Sequence, residues 1–420
     1  MIKANKPFLI LLLSVVLSNV TLAAEQLYRD LSGVMPELAK AGSYNVGVKT
    51  QSIVNSKAFD HNNFNGTYQR KLTIELWYPA KESKTIATYQ AVTRSHKTFT
   101  IKGNALRNAN PIDEGSFPFV VISHGYTGDR TLLFYLAEHL ASHGYIVAAI
   151  DHTDSTTKEI DVTNAPMKGF ASTLIHRSRD QQFVLDYFRK TKSPISAITN
   201  FNKATVIGYS MGGYGAINTV GGCYEVKPAN LMAIGVKQEL ANTLAPLFSS
   251  CSAGRETVDP SWKAMVAFAP WGQEHNLHSA DSLANLKVPS LYISGEQDDI
   301  SGFEHGVKKL FEQTGSDSNF LLVYENARHN IAPHPAPRIA YQNDTDLGHY
   351  YEPSWSTEKL NRINQHFVLA FLNCNLKQQQ CEYLPTRIEG TQQKLANGKY
   401  SKAWIGFPER WLTGVKFYKK

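Results

Sequence analysis

The sequence predicts an α/β protein: a doubly wound sandwich with a mainly parallel, twisted sheet and helices on both faces. Three observations carry that expectation. Near-continuous apolar runs recur along the chain, as strands covered on both faces require. Helical patterns lie between them. At one junction, "VIGYSMGGYG" over residues 206–215, a serine sits among glycines where a strand pattern gives way to a helix pattern.

In chain order, "NVGVKTQSIV" and "RKLTIELWYPA" come first and alternate as antiparallel edge strands do. The buried strands follow: "FPFVVIS", "GYIVAAIDH", "KATVIGYS", "KAMVAFAP", "VPSLYISG" and "NFLLVYEN". Helices are expected at "TLLFYLAEHLASHG" and "HRSRDQQFVLDYFRK". No internal repeat is visible. Residues 221–260 are long for one connection and hold the helix-like "NLMAIGVKQELANTLAPLF". They read either as a cross-linked insertion over the pocket or as a surface excursion.

The glycine-flanked serine has a specific use. When a buried strand turns sharply into a helix, the residue at the apex projects into a pocket in a strained conformation. Ser210 holds the apex, and Gly208 and Gly212 complete G-x-S-x-G by keeping Cβ atoms out of a tight turn. A phosphate-binding loop is the weaker reading, since no G-x-x-x-x-G-K-[ST] occurs and no Lys is placed to hold phosphates.

A serine hydroxyl needs a base, an acid to orient that base, and donors for the oxyanion. The donors expected are the N–H groups of Met211, just after the serine, and Tyr126, in "SHGYTGDR". Gly125 lets that loop approach the serine. Beyond the strand "VPSLYIS" comes "GEQDDISG", where Asp298 is the expected acid and Asp299 its neighbouring alternative. Beyond "NFLLVYEN" comes "ARHNIAPHPAP", where His329 is the expected base and His334 the alternative, held between prolines. His124 precedes the serine and lies beside the oxyanion loop, which disfavours it as base. His139 and His143 share a helix face, but no third ligand or H-E-x-x-H accompanies them, so no metal is expected.

Composition bounds the context. Lys3 and Lys6 precede an apolar run and then "TLA-AEQ", which reads as a signal peptide cut after Ala23. A secreted or periplasmic location follows, and so do disulfides. Of the four cysteines, the sequence neighbours are the expected pairs, Cys223 with Cys251 and Cys374 with Cys381. The formal charge is +7, and +5 without Lys3 and Lys6. Residues 376–420 carry nine Lys/Arg against three Asp/Glu, a net of +6, which leaves the rest near −1. Tyr383, Tyr400, Trp404, Phe407, Trp411, Phe417 and Tyr418 interleave with those charges. Two readings stand: an extension that touches lipid or polymer surfaces, or a segment that packs on the core. No nucleic-acid recognition motif appears. The expected organisation is a leader over 1–23, a catalytic domain over 24–375 and a basic aromatic extension over 376–420.

Several stretches resemble known families. "FVVISHGYTGDRTLLFYLAEHLASHGYIVAAIDHTDST", with "IELWYPA" upstream, resembles the secreted platelet-activating-factor acetylhydrolases and their dienelactone-hydrolase-like bacterial relatives. "FAPWGQEHN", "VPSLYISGEQDDI" and "ENARHNIAP" resemble blocks of bacterial cutinase-like polyester hydrolases. Together they run from about Leu72 to Pro335 and imply an α/β-hydrolase fold. In the acetylhydrolases the acid follows the strand that ends here in "AFAPWG", where no carboxylate stands. The resemblance therefore puts the acid at Asp298, as in cutinases, and makes Trp271 an aromatic wall beside the acyl site; a core tryptophan at a strand end is the other reading. The expectation is a serine esterase that needs no cofactor and acts on a small, lipid or polyester ester. A short-acyl phospholipid competes as substrate. A hydrolase-fold binding protein without activity is the rival of another class.

Overall fold

The computed structural model describes residues 23–31, 33–233, 235–251, 258–390, 396–398, 404–408 and 411–420. The leader expected over 1–23 lies outside them except for Ala23. No helix among the described residues is long and apolar enough to cross a membrane.

Among the described residues one sheet of twelve strands organises the chain. In sequence these are β1 (Asn45–Phe59), β2 (Thr67–Ala80), β3 (Ile86–Val92), β4 (Thr98–Arg107), β5 (Phe117–Ser123) and β6 (Ile146–Asp151). Then follow β7 (Thr199–Tyr209), β8 (Trp262–Phe268), β9 (Ser290–Gly295), β10 (Asn319–Tyr324), β11 (Arg387–Gly390) and β12 (Val415–Lys419). The order in the sheet is β11-β12-β10-β9-β8-β7-β5-β6-β2-β1-β4-β3. The six strands from β6 to β10 are mutually parallel. Their residues are almost all buried, which is why they read as unbroken apolar runs. β2 joins them antiparallel along β6, and β1 pairs antiparallel with β2, as their alternation predicts.

Helices cover both faces. Phe134–Ser142 and Thr357–Leu372 lie in one apolar layer, and Phe170–Lys190 lies in the other. The helix expected from His176 begins six residues earlier, at Phe170. The helix-like stretch in 221–260 is two helices, Pro228–Ala233 and Gln238–Phe248, interrupted near Gly235 at φ +89°. Both expected disulfides form, Cys223–Cys251 and Cys374–Cys381.

Four strands went unread in the sequence. β3 and β4 form an antiparallel hairpin with alternating burial. β12 pairs antiparallel with β10, and β11 with β12. The segment expected as an extension over 376–420 thus contributes two strands to the same sheet. Phe417 is fully buried, stacks on Phe367 at 4.9 Å, and meets Phe320 at 5.7 Å. Phe407 lies 4.3 Å from the His366 ring. Of the two readings of the tail, these aromatic rings follow the packed one. An apolar ring gains more from a core than from water, and the exposed edge of β10 supplies the backbone partners. Tyr400 lies outside the described residues.

Candidate active site

The centre of the site is the turn from β7 into the helix Met211–Thr219. Ser210 stands at that turn with φ +54° and ψ −116°, a region that a side chain strongly disfavours. Neighbouring main chain holds it there. Ser210 N–H donates to the Phe268 carbonyl at 2.8 Å, and the Ser210 carbonyl accepts from Trp271 N–H at 3.1 Å. The glycines around it are steric necessities. A Cβ on Gly208 would stand 2.1 Å from the Gly212 carbonyl oxygen, and one on Gly212 would stand 2.1 Å from that of Ser123. Ser210 opens into a cavity of about 490 Å³ that His329, Tyr126, Gly125 and Tyr209 also line.

Asp298 and His329 meet beside that cavity, each from the loop after its strand. His329 Nδ1 lies 2.9 Å from Asp298 Oδ1. The same oxygen accepts from Ile300 N–H at 3.0 Å and Ser301 N–H at 2.9 Å. Burial pushes the Asp298 carboxyl up, but His329 and these two N–H groups outweigh it and hold the group below its ordinary value. A Cβ on Gly295 would stand 2.1 Å from the Arg328 carbonyl oxygen, so glycine there lets the two loops touch. Asp299 points elsewhere and pairs with Arg328 at the half-exposed rim. Tyr209 supports the histidine from below: its ring lies 5.2 Å from the His329 ring, and its hydroxyl donates to Asn330 at 3.1 Å.

The chain resembles known proteins in part. A family model described as platelet-activating factor acetylhydrolase, isoform II, matches residues 38–192, which end upstream of Ser210. A cutinase of Thermobifida alba is 24% identical over 53% of this chain and 56% of its own length. A cutinase of Thermobifida cellulosilytica is 29% identical over 46% of this chain and 52% of its own. A platelet-activating factor acetylhydrolase of Bos taurus is 32% identical over 27% of this chain and 28% of its own. The chain thus spans about half the length, or less, of these curated relatives. A ferulic acid esterase from Streptomyces cinnamoneus superposes with a TM-score of 0.52 at 18% identity, covering 82% of this chain and 94% of that one.

The chain is an α/β-hydrolase by fold.

In this α/β-hydrolase the loop after β5 carries Gly125 and Tyr126 to the serine. A Cβ on Gly125 would lie 3.2 Å from Ser210 Cβ, so the approach is close. Met211 N–H opens its helix and has no acceptor within it. Among the described residues neither Met211 N–H nor Tyr126 N–H finds a hydrogen-bond acceptor. The Tyr126 ring is anchored away from the serine, its hydroxyl donating to the Pro166 carbonyl at 2.6 Å.

Other expected residues fall outside the cavity wall. Trp271 packs edge-on against Phe170 at 5.3 Å, in an apolar cluster with Tyr126 and Tyr214. The disulfide-linked segment joins that cluster through Tyr224, 5.2 Å from Tyr214. It buttresses the helix behind the serine, and none of its described residues lines the cavity. Residues 252–257 of it lie outside the described ones. His334 is buried and stacks on Tyr350 at 4.9 Å. His124 is buried, with Nδ1 2.6 Å from the Gly125 carbonyl. His143 Nε2 lies 2.9 Å from the Lys40 carbonyl, and no metal-holding cluster occurs among the described residues.

Sequence reasoning missed two groups. One is a second serine–histidine–aspartate line. Ser123 Oγ lies 2.8 Å from His152 Nε2, and His152 Nδ1 lies 2.9 Å from Asp180 Oδ2. All three are at most 1% exposed, and Asp180 is also gripped by Arg70. Burial above all, then Arg177 and Arg70, drives His152 well below its ordinary pKa. With no access for substrate, this line is a buried strut between β5, β6 and the helix Phe170–Lys190. The other missed group is Arg94 and His349, which line the cavity itself. Arg94 lies in the β3–β4 turn, where no motif marks it.

Proposed function

We propose that this protein is a serine carboxylic-ester hydrolase in which Ser210 is the nucleophile, His329 the base and Asp298 the orienting acid. The observation that carries the reading is the Asp298–His329 hydrogen bond of 2.9 Å beside a cavity that His329 and the strained Ser210 both line. Ser210 attacks the ester carbonyl while His329 takes its proton. Asp298 holds the imidazole by Nδ1 and stabilises its cationic form. The N–H groups of Tyr126 and Met211 receive the oxyanion. His329 then passes its proton to the departing alcohol, and a water molecule activated by the same histidine releases the acid. Cutinases, an acetylhydrolase and a ferulic acid esterase among the similar proteins support carboxylic esters as the substrate class.

Within esters, a small soluble or polyester substrate fits the acid position after β9, while the family match upstream keeps a short-acyl phospholipid in competition. Two disulfides fit an oxidising compartment, and with the leader-like N-terminus they support a secreted or periplasmic enzyme.

The test is hydrolysis of p-nitrophenyl acetate by the wild type and Ser210→Ala, with fluorophosphonate labelling located by mass spectrometry. Turnover with Ser210 labelled, abolished in the variant, is the expected result. A folded wild type that hydrolyses no ester points instead to a binding protein on a hydrolase scaffold.

A further inference from the structure

Arg94 is a cation without a counter-ion inside the cavity. Its side chain is half-buried, and its Nε is sealed from solvent with no hydrogen-bond partner. Among the described residues it makes no ion pair. A carboxylate whose charge it feels, Asp346, is engaged elsewhere. Asp346 accepts from Ser95 N–H at 2.7 Å, from the Ser95 hydroxyl at 2.5 Å and from Asn343 Nδ2 at 2.8 Å. Asp299 also lines the cavity but is neutralised by Arg328. Beside Arg94, the buried Nε2 of His349 likewise lacks a partner. Burial first, then Arg94, depresses the His349 imidazole well below its ordinary pKa, so it is neutral and free to donate one hydrogen bond. Sealing part of a guanidinium from water without a partner carries a cost. A ligand that supplies the missing charge recovers that cost.

The position of this pair indicates which part of a substrate it meets. The segment that carries His349 is tied to the histidine's loop, because Asn330 Nδ2 donates to the carbonyls of Gly348 at 2.8 Å and Tyr351 at 3.0 Å. The turn that carries Arg94 is tied to the same segment by Ser95 N–H, which donates to Asp346 at 2.7 Å. Arg94 and His349 therefore stand on the histidine's flank of Ser210, whereas the N–H groups of Tyr126 and Met211 define the oxyanion flank. In serine catalysis the histidine gives its proton to the leaving alcohol, so the alcohol portion lies on its flank.

We propose that Arg94, assisted by His349, selects esters whose alcohol portion carries an anionic group, a carboxylate or a phosphate. The inference rests on ester hydrolysis at Ser210. A guanidinium fork matches either anion in two parallel hydrogen bonds, which makes Arg94 a specificity-determining residue.

The test compares kcat/KM for 4-acetoxybenzoate with its methyl ester, and for 4-acetoxyphenyl phosphate with phenyl acetate. Each value is divided by the same ester's hydroxide-catalysed rate, which removes leaving-group electronics. The wild type prefers at least one anionic member by about tenfold or more, the scale of one charge-assisted contact. In Arg94→Gln that ratio falls about tenfold, and Arg94→Lys retains part of it. A carboxylate preference alone or a phosphate preference alone identifies the anion, and either supports the proposal. No preference in the wild type, or one that survives in a folded Arg94→Gln, overturns it. Calorimetry with 4-hydroxybenzoate and 4-hydroxyphenyl phosphate reads binding without turnover. Binding that needs Arg94 in a protein that cleaves no ester sinks the esterase reading and leaves the anion site. Hydrolysis of neutral esters with no binding of either anion does the reverse.

Discussion

Replacing Asp298 by asparagine separates two jobs that its carboxylate performs. Oδ1 accepts three hydrogen bonds, from His329 Nδ1, Ile300 N–H and Ser301 N–H, whereas Oδ2 is buried without a partner. An asparagine placed with its oxygen at the Oδ1 position keeps all three. Placed the other way, its NH₂ would face three donors. The two loop N–H groups therefore hold the amide oxygen toward His329, and the imidazole keeps its Nδ1–H tautomer. What disappears is the negative charge. A charge-assisted hydrogen bond exceeds a neutral one by about 1.5 kcal/mol, and the full Coulomb term at 4 Å is about 4 kcal/mol at an effective dielectric of 20. At 1.36 kcal/mol per decade, Asp298→Asn lowers kcat by between about tenfold and about a thousandfold. That is less than the roughly 10⁴-fold loss seen when the same change in a protease leaves the histidine in the wrong tautomer. The assay is kcat on p-nitrophenyl acetate near pH 8, with Asp299→Asn alongside, which costs at least about tenfold less. A loss of about 10⁴ or more would refute the locked amide. A loss under about threefold would remove Asp298 from the machinery altogether.

Phe417→Ala empties a fully buried site between Phe367 and Phe320 and lowers the unfolding free energy by about 3–5 kcal/mol in urea melts. A change under about 1 kcal/mol would mean that the C-terminal strand does not pack as described. Replacing Cys223 and Cys251 by serine frees a span of 28 residues and costs about 3.5 kcal/mol in the chain-entropy model, read as earlier unfolding of the two helices beside Tyr214. An unchanged melt under reducing and oxidising conditions alike contradicts that. The pH dependence follows from the depressed Asp298 carboxyl. Its folded value lies below its unfolded one, so its stabilisation is complete above the unfolded value of about 3.9 and is lost as pH falls through the folded value. Acid melts of Asp298→Asn therefore show a shallower loss of stability below about pH 4 than the wild type, and parallel curves would contradict the assignment.

Much of this was legible in the sequence because it is local. A buried parallel strand is unbroken apolar chain whatever its neighbours, so β5 to β10 announce themselves. The turn at Ser210 needs glycine at fixed offsets, and that need is written in ten residues. The disulfide pairs followed from short separation. What the sequence left open depends on contacts between distant residues. Asp298 and Asp299 are adjacent and chemically alike, and only the approach of the Arg328–His329 loop, through Gly295, directs one inward and the other to the rim. The C-terminal residues read as a basic aromatic tail because alternation in a five-residue strand is faint. Their partner is β10, about a hundred residues away, and its open edge decides where they go. Arg94 sits in a hairpin turn with no motif, and a cation becomes informative only when the folded chain surrounds it and offers no counter-ion. Ser123, His152 and Asp180 teach the converse. They make the hydrogen-bond line expected of a catalytic site, yet they are sealed from substrate, because access depends on what the whole chain covers, which no short stretch records.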